Sequence, residues 1–243
     1  MNLFSGFIAI KCAMMDGDFD KAAWFIVLGA IFDTLDGLMA RLTHSSSEFG
    51  VELDSLADVV TFGVGPSAII YKLFFFQYQG LGMLIAALPA ICGAIRLARF
   101  NVQLVGFDKD YFRGLPIPSA ALFIVSFVTF HYQRHSPAFI SADTFEVLMF
   151  VVTIAASLLM VSTVKYEAMP KFSGSAIKKE PIKFIVIGVA IILAAVTKGS
   201  AIFPLFFAFA TMGAIRSLIQ RLRRYSAERR AIALFEEDEL DAD

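Results

Sequence analysis

Long stretches of this chain carry almost no charge, and they recur at intervals along nearly all of its 243 residues; 145–164 and 184–197 are the clearest. A helix needs about 20 mainly apolar residues to cross the hydrocarbon layer of a bilayer, so repeated runs of this length restrict the fold to a polytopic membrane protein. Composition agrees: 58% of the residues are hydrophobic, 26 of them Phe, and the mean hydropathy is +0.70, above that of an ordinary soluble domain. The sequence predicts an all-α bundle of about eight transmembrane helices, at roughly 2–15, 21–42, 50–77, 80–100, 116–133, 143–164, 182–197 and 200–220. Gly63-Val64-Gly65-Pro66 should kink the third, because proline removes a helical donor and crowds the preceding turn. MNLFSGFIAI reads as the start of the first span rather than a signal peptide. Neither an internal repeat nor a separate soluble domain is evident. Residues 1–222 form one membrane domain, and 223–243 form a tail that is basic and then acidic.

Lys and Arg are distributed unevenly between alternate loops. One set holds Arg41, then Arg96, Arg99, Lys109 and Arg113, then five lysines between 165 and 183, then the C-terminal arginines. The opposite set holds Lys21, Arg134 and Lys198. Positive charge is retained on the cytoplasmic side, so both termini and the turn at 43–49 are expected there. The basic run RLRRYSAERR is suited to anionic lipid. No nucleic-acid partner is expected. Cys12 and Cys92 lie in apolar segments without metal-ligand spacing and read as small buried hydrophobes. His44, His131 and His135 are scattered, and LFFFQ at 73–77 reads as lipid-facing.

Against this oily background, FDTLDGLMARLTHSSSEFGVELDSLAD (32–58) is dense in carboxylates. Asp33 and Asp36 are three residues apart on one helix face, with Gly37, Ala40 and Arg41 continuing along that side. Asp54 and Asp58 are four apart on the next helix, with Gly50 on the same stripe. A short turn makes the two helices antiparallel neighbours, so the acids can face one another. Two ionised carboxylates about 4 Å apart repel by roughly 4 kcal/mol at an effective dielectric near 20, and acids inside a membrane mark function by default. Either they protonate or a cation holds them. Oxygen-only donors select hard ions such as Mg²⁺, Mn²⁺ or Ca²⁺, and four Asp can hold two, an arrangement suited to phosphate displacement. The small residues would admit a bulky ligand, and Arg41 offers a planar fork to phosphate. The spacing alone leaves a cation or proton-coupled transporter open. Glu48 reads as a solvated loop-end residue.

Written out, the pattern Asp33-x2-Asp36-Gly37-x2-Ala40-Arg41-x8-Gly50-x3-Asp54-x3-Asp58 resembles the complete signature of the CDP-alcohol phosphotransferase family. NLFSGF (2–7), LDSLADVVTFGVGPSA (53–68), RLARFN (96–101) and FRGLPIPSAA (112–121) are similar to the integral membrane phosphatidylserine synthase branch. The likeness covers about residues 2–121. It implies a six-helix family core plus two further spans. It also implies a membrane enzyme that moves a phosphatidyl group from CDP-diacylglycerol to L-serine and releases CMP.

Carried onto this sequence, the resemblance implies that Asp33, Asp36, Asp54 and Asp58 bind two divalent cations, Mg²⁺ or Mn²⁺, with Ca²⁺ able to occupy the site. Asp58 would also be the general base. Gly37 and Ala40 would leave room for cytidine, Arg41 and Gly50 would serve the phosphates, and Asn2 and Gly6 would border the nucleotide. Family members are generally homodimers. For the acceptor, Arg96 and Arg99 are candidates for the serine carboxylate, or else positive-inside anchors reaching to headgroups. Glu52 or Ser55 are candidates for its ammonium, or else rim residues. Pro116 and Pro118 shape the entry to the fifth span, with Gly114 as loop punctuation. Other acceptors (glycerol 3-phosphate, inositol phosphate, choline) and a donor with isoprenoid chains stay open.

Overall fold

The computed structural model describes residues 1–43, 47–103, 111–134, 142–167, 188–189, 193, 196–197, 202–213, 215–217 and 219. The tail 223–243 and the expected span at 182–197, apart from a few residues, lie outside them, as do His44 and His135. Helix α1 (Asn2–Lys11) widens into a π-helical turn (Cys12–Asp16) and ends on Gly17, whose φ of 66° is the left-handed conformation that suits glycine. There follow α2 (Phe19–Thr43), α3 (Glu48–Asp58), a π-helical turn (Val59–Val64), α4 (Gly65–Leu73), a 3₁₀ turn (Phe75–Tyr78) and α5 (Gln79–Gln103). Strand β1 (Tyr111–Arg113), α6 (Ile117–Arg134), α7 (Ala142–Val161) and β2 (Lys165–Glu167) complete the named elements. The chain is a helical membrane protein: 19–40, 48–73, 75–102 and 144–161 are four helical stretches long and apolar enough to cross a bilayer. They fall on the second, third, fourth and sixth of the eight expected spans. Ile117–Val128 and Ile202–Ser217 are shorter apolar helices.

One feature departs from an all-helical chain. β1 and β2 pair antiparallel, with Phe112 opposite Tyr166. Gly114, at φ 83°, turns the chain out of β1, and its N–H donates to the Val164 carbonyl at 2.8 Å. Pro118 then sits in the first turn of α6, where its missing N–H costs nothing. Tyr166 is buried, its hydroxyl donates to the Ala210 carbonyl at 3.2 Å, and burial pushes the phenol up to about 12, so it stays a neutral donor.

Around residues 63–66, where a kink was expected, the helix widens into the π-helical turn, after which Gly65 and Pro66 open α4. A proline in the first turn needs no donor, so Pro66 sits where its missing N–H is tolerated. The lipid-facing reading of 73–77 is corrected for two of its rings. Phe74 and Phe75 are buried, and both meet Phe150 edge-on at 5.9 and 5.0 Å between centroids. Aromatic edges and faces attract, and each ring buries a large area, so this pair closes α4 onto α7 while Phe76 stays exposed. Cys12 and Cys92 are free and buried.

Helix α1 packs along α2, and both rest on the π-helical turn after α3. The closest approach is at Gly6, where an added Cβ would collide with Thr61 Oγ1. Gly29 on α2 is similar, with an added Cβ 2.6 Å from Thr61 Cγ2. Overpacking of this kind typically costs about 1–3 kcal/mol. Gly6→Ala is therefore expected to lower the melting temperature in detergent by several degrees. An unchanged melting temperature would show that α1 can slide away freely.

Candidate active site

The acids come from α2 and from α3, which starts cleanly because Ser47 caps it, accepting the Gly50 N–H at 3.1 Å. Asp33, Asp54 and Asp58 each place a carboxylate oxygen within 4.8 Å of the others. Their burial is graded: Asp54 is exposed, Asp33 intermediate, and Asp58 only 8% exposed. Three carboxylates so close repel unless a cation or proton joins them, and an all-oxygen donor set fits a hard divalent ion. This triad can hold a metal ion. Asp36 does not join it. It is exposed, one turn further along α2, and near enough to Asp33 and Asp54 to act on both electrostatically.

The small residues fall where the sequence put them along the helices. Gly37 and Ala40 are partly exposed on α2, and Gly50 is exposed in the first turn of α3. Arg41 lies on α2, and its side chain is outside the described residues. Gly6 is buried against Thr61. Asn2 is 3% exposed, and its Nδ2 donates to Asp58 Oδ1 at 2.8 Å.

The two arginines of α5 have different surroundings. Arg96 is 7% exposed, acts electrostatically on Asp58, and its Nε has no hydrogen-bond partner among the described residues. Arg99 turns to the end of α7, donating from Nη1 to the Val161 carbonyl at 2.8 Å and from Nη2 to those of Met160 and Ser162 at 3.4 and 3.3 Å. A cation there satisfies carbonyls that the helix end leaves open and complements the helix dipole. Glu52 and Ser55 meet Asn101 of α5, whose Nδ2 donates to Glu52 Oε2 at 3.3 Å and to Ser55 Oγ at 3.1 Å.

The family model for CDP-alcohol phosphatidyltransferase matches residues 1–145. The chain belongs to that family. A Helicobacter pylori protein named CDP-diacylglycerol–serine O-phosphatidyltransferase is 41% identical over 170 residues, 70% of this chain and 70% of that one. A Bacillus subtilis protein of the same name is 34% identical over 170 residues, 70% of this chain and 87% of its own. A Methanothermobacter thermautotrophicus protein named archaetidylserine synthase is 39% identical over 169 residues, 68% and 66% of the two chains.

For a CDP-alcohol phosphatidyltransferase, two polar residues here escaped the sequence reading. Thr61 is fully buried and its hydroxyl donates to the Asn2 carbonyl at 3.1 Å. Its signal was a hydroxyl inside the apolar run VVTF. Asn101 bridges α3 and α5, and its signal was its place at the end of RLARFN.

Proposed function

We propose that this enzyme transfers a phosphatidyl group from CDP-diacylglycerol to the hydroxyl of L-serine, giving phosphatidylserine and CMP. The observation that carries this reading is the convergence of Asp33, Asp54 and Asp58 from two helices of a CDP-alcohol phosphatidyltransferase. The names of the relatives support the choice of serine and of a CDP-linked lipid.

Asp33, Asp36, Asp54 and Asp58 would hold two divalent cations, Mg²⁺ or Mn²⁺, with Ca²⁺ able to take the same place. When bound, such ions neutralise the pyrophosphate of the donor and polarise the phosphorus under attack. The remaining work falls to the chain. Asp58, the most buried acid, takes the proton of the serine hydroxyl as its oxygen bonds to the phosphatidyl phosphorus. The bond from that phosphorus to the CMP oxygen breaks in line, and CMP leaves. Gly37 and Ala40 give the cytidine room, while Arg41 and Gly50 serve the phosphates. Arg96, buried beside Asp58, binds the serine carboxylate, and Glu52 or Ser55 meets the ammonium. The site faces the cytoplasm, as do both termini, so acyl chains enter from the bilayer while serine arrives from water. The enzyme works as a homodimer.

The test is CMP release by purified protein in detergent, with CDP-diacylglycerol, Mg²⁺ or Mn²⁺, and a panel of alcohols. Serine should give phosphatidylserine, and a different preferred alcohol would replace serine in this reading. Divalent-dependent CMP release without a sealed vesicle also rules out a transporter, and no release with any alcohol would overturn the proposal. The archaetidylserine synthase relative favours including a CDP-linked isoprenoid ether lipid as a second donor.

The arginines separate acceptor binding from architecture. Removing a hydrogen bond to a charged group costs about 1.5–3 kcal/mol, and about 1.4 kcal/mol is tenfold in affinity. Arg96→Ala should raise the serine KM tenfold or more and leave the CDP-diacylglycerol KM within about twofold. Arg99→Ala should lower the melting temperature and change the serine KM little. A reversed pattern would exchange their roles.

A further inference from the structure

Asn2 reaches the acidic site from α1, a helix that supplies none of the four aspartates. Two contacts tie it to the segment that carries Asp58. Its Nδ2 donates to Asp58 Oδ1 at 2.8 Å, and its backbone carbonyl accepts from Thr61 Oγ1 at 3.1 Å. Gly6 and Gly29 make room for Thr61 at this junction. The amide oxygen Oδ1 is buried without a hydrogen-bond partner among the described residues. Among the described residues, Asp58 is thus the partner that orients the amide, which turns its NH₂ toward a carboxylate oxygen.

We propose that Asn2 is the positioning residue for Asp58. It occupies one carboxylate oxygen and so dedicates the other to the cation and the acceptor hydroxyl. A neutral donor suits this task. Lys or Arg in its place would hold the carboxylate equally well but would compete with the cation for its charge. The role differs from the nucleotide-bordering one expected from the sequence. It rests on the reading of Asp58 as the base of a phosphatidyl transfer.

The test compares wild type with Asn2→Ala and with Asn2→Asp, which keeps the size and exchanges the donor for an acceptor. CMP release gives kcat and KM, and Mn²⁺ binding without substrate is followed by electron paramagnetic resonance. Both variants should lose about 10- to 100-fold in kcat, with Asn2→Asp the lower, and both KM values should stay within about threefold. Mn²⁺ binding should weaken several-fold in Asn2→Ala but hold or tighten in Asn2→Asp, whose added carboxylate offers the cation another oxygen. Turnover and cation affinity then move in opposite directions in one isosteric variant, which a packing role would not produce. Unchanged kcat in both variants would overturn the proposal, as would a loss confined to the CDP-diacylglycerol KM. Joint loss of Mn²⁺ binding and folding in both would also overturn it. If Asn2→Ala alone fails to fold, Asn2→Asp and Asn2→Ser carry the comparison. If wild type releases no CMP with any alcohol, the functional reading fails and the role of Asn2 falls with it; a wild type that turns over while both variants keep its kcat overturns the role of Asn2 alone.

Discussion

Asp58→Asn is expected to cut CMP release by about three orders of magnitude, within the range that loss of a positioned base costs, while the protein still folds and elutes as wild type does. Asp58 is the most buried acid of the triad and the one that α1 holds through Asn2. Asparagine has the same shape, so the packing around α3 survives. Its amide cannot take a proton, it is a poorer partner for a cation, and it can set a donor against the donor of Asn2. Serine's hydroxyl is a weak nucleophile near neutral pH, so turnover should suffer more than binding. The measurement is CMP release at saturating CDP-diacylglycerol and serine, beside a thermal melt in detergent. Full activity in this variant would remove the base assignment.

Removing divalent cations should have an effect of similar size. Chelation with EDTA is expected to stop turnover, and Mg²⁺ or Mn²⁺ to restore it. The melting temperature should follow. Without a cation, ionised carboxylates that each place an oxygen within 4.8 Å of the others repel one another, by roughly 4 kcal/mol for a pair about 4 Å apart at a dielectric near 20. An ion that binds only the folded state adds about 2.7 kcal/mol at a hundredfold excess over its Kd. Asp33→Asn should reverse the pattern: one repulsive charge is gone, so the cation-free protein melts higher, while added Mg²⁺ raises the melting temperature far less. Activity that survives exhaustive chelation would defeat the metal assignment.

How much of this was readable in the residues depends on how local each signal is. The helices containing Asp33 and Asp58 were legible because long apolar runs and the i, i+3 and i, i+4 spacings are local properties. The gathering of Asp33, Asp54 and Asp58 followed from a short turn between two such helices. Other features depend on distant partners. Arg96 and Arg99 lie one turn apart and look alike in sequence, but Arg99 caps α7 because that helix ends at Val161 beside it. Phe75 reads as lipid-facing until Phe150 arrives from α7. The β1–β2 ladder is three residues per strand and joins segments far apart in the chain, so no period announces it. Asp36 shares the spacing of the triad yet remains outside it, since one helical turn is enough to carry a carboxylate to the rim. Asn2 was expected, from the family resemblance alone, to border the nucleotide; that it meets Asp58 is a matter of three-dimensional placement.

The π-helical turn at Val59–Val64 divides what would be one continuous rod into two halves with separate angular phase. An ordinary helix advances about 100° per residue, so a single stripe carrying Asp54 and Asp58 would dictate which side chains lie on the same line further down. The wider turn releases that constraint. The upper half aims its acids at α2 and α1, while the lower half independently seats Ile69 and Ile70 in the interior. Chemistry at the rim and anchorage in the oily middle can thus vary without retuning each other.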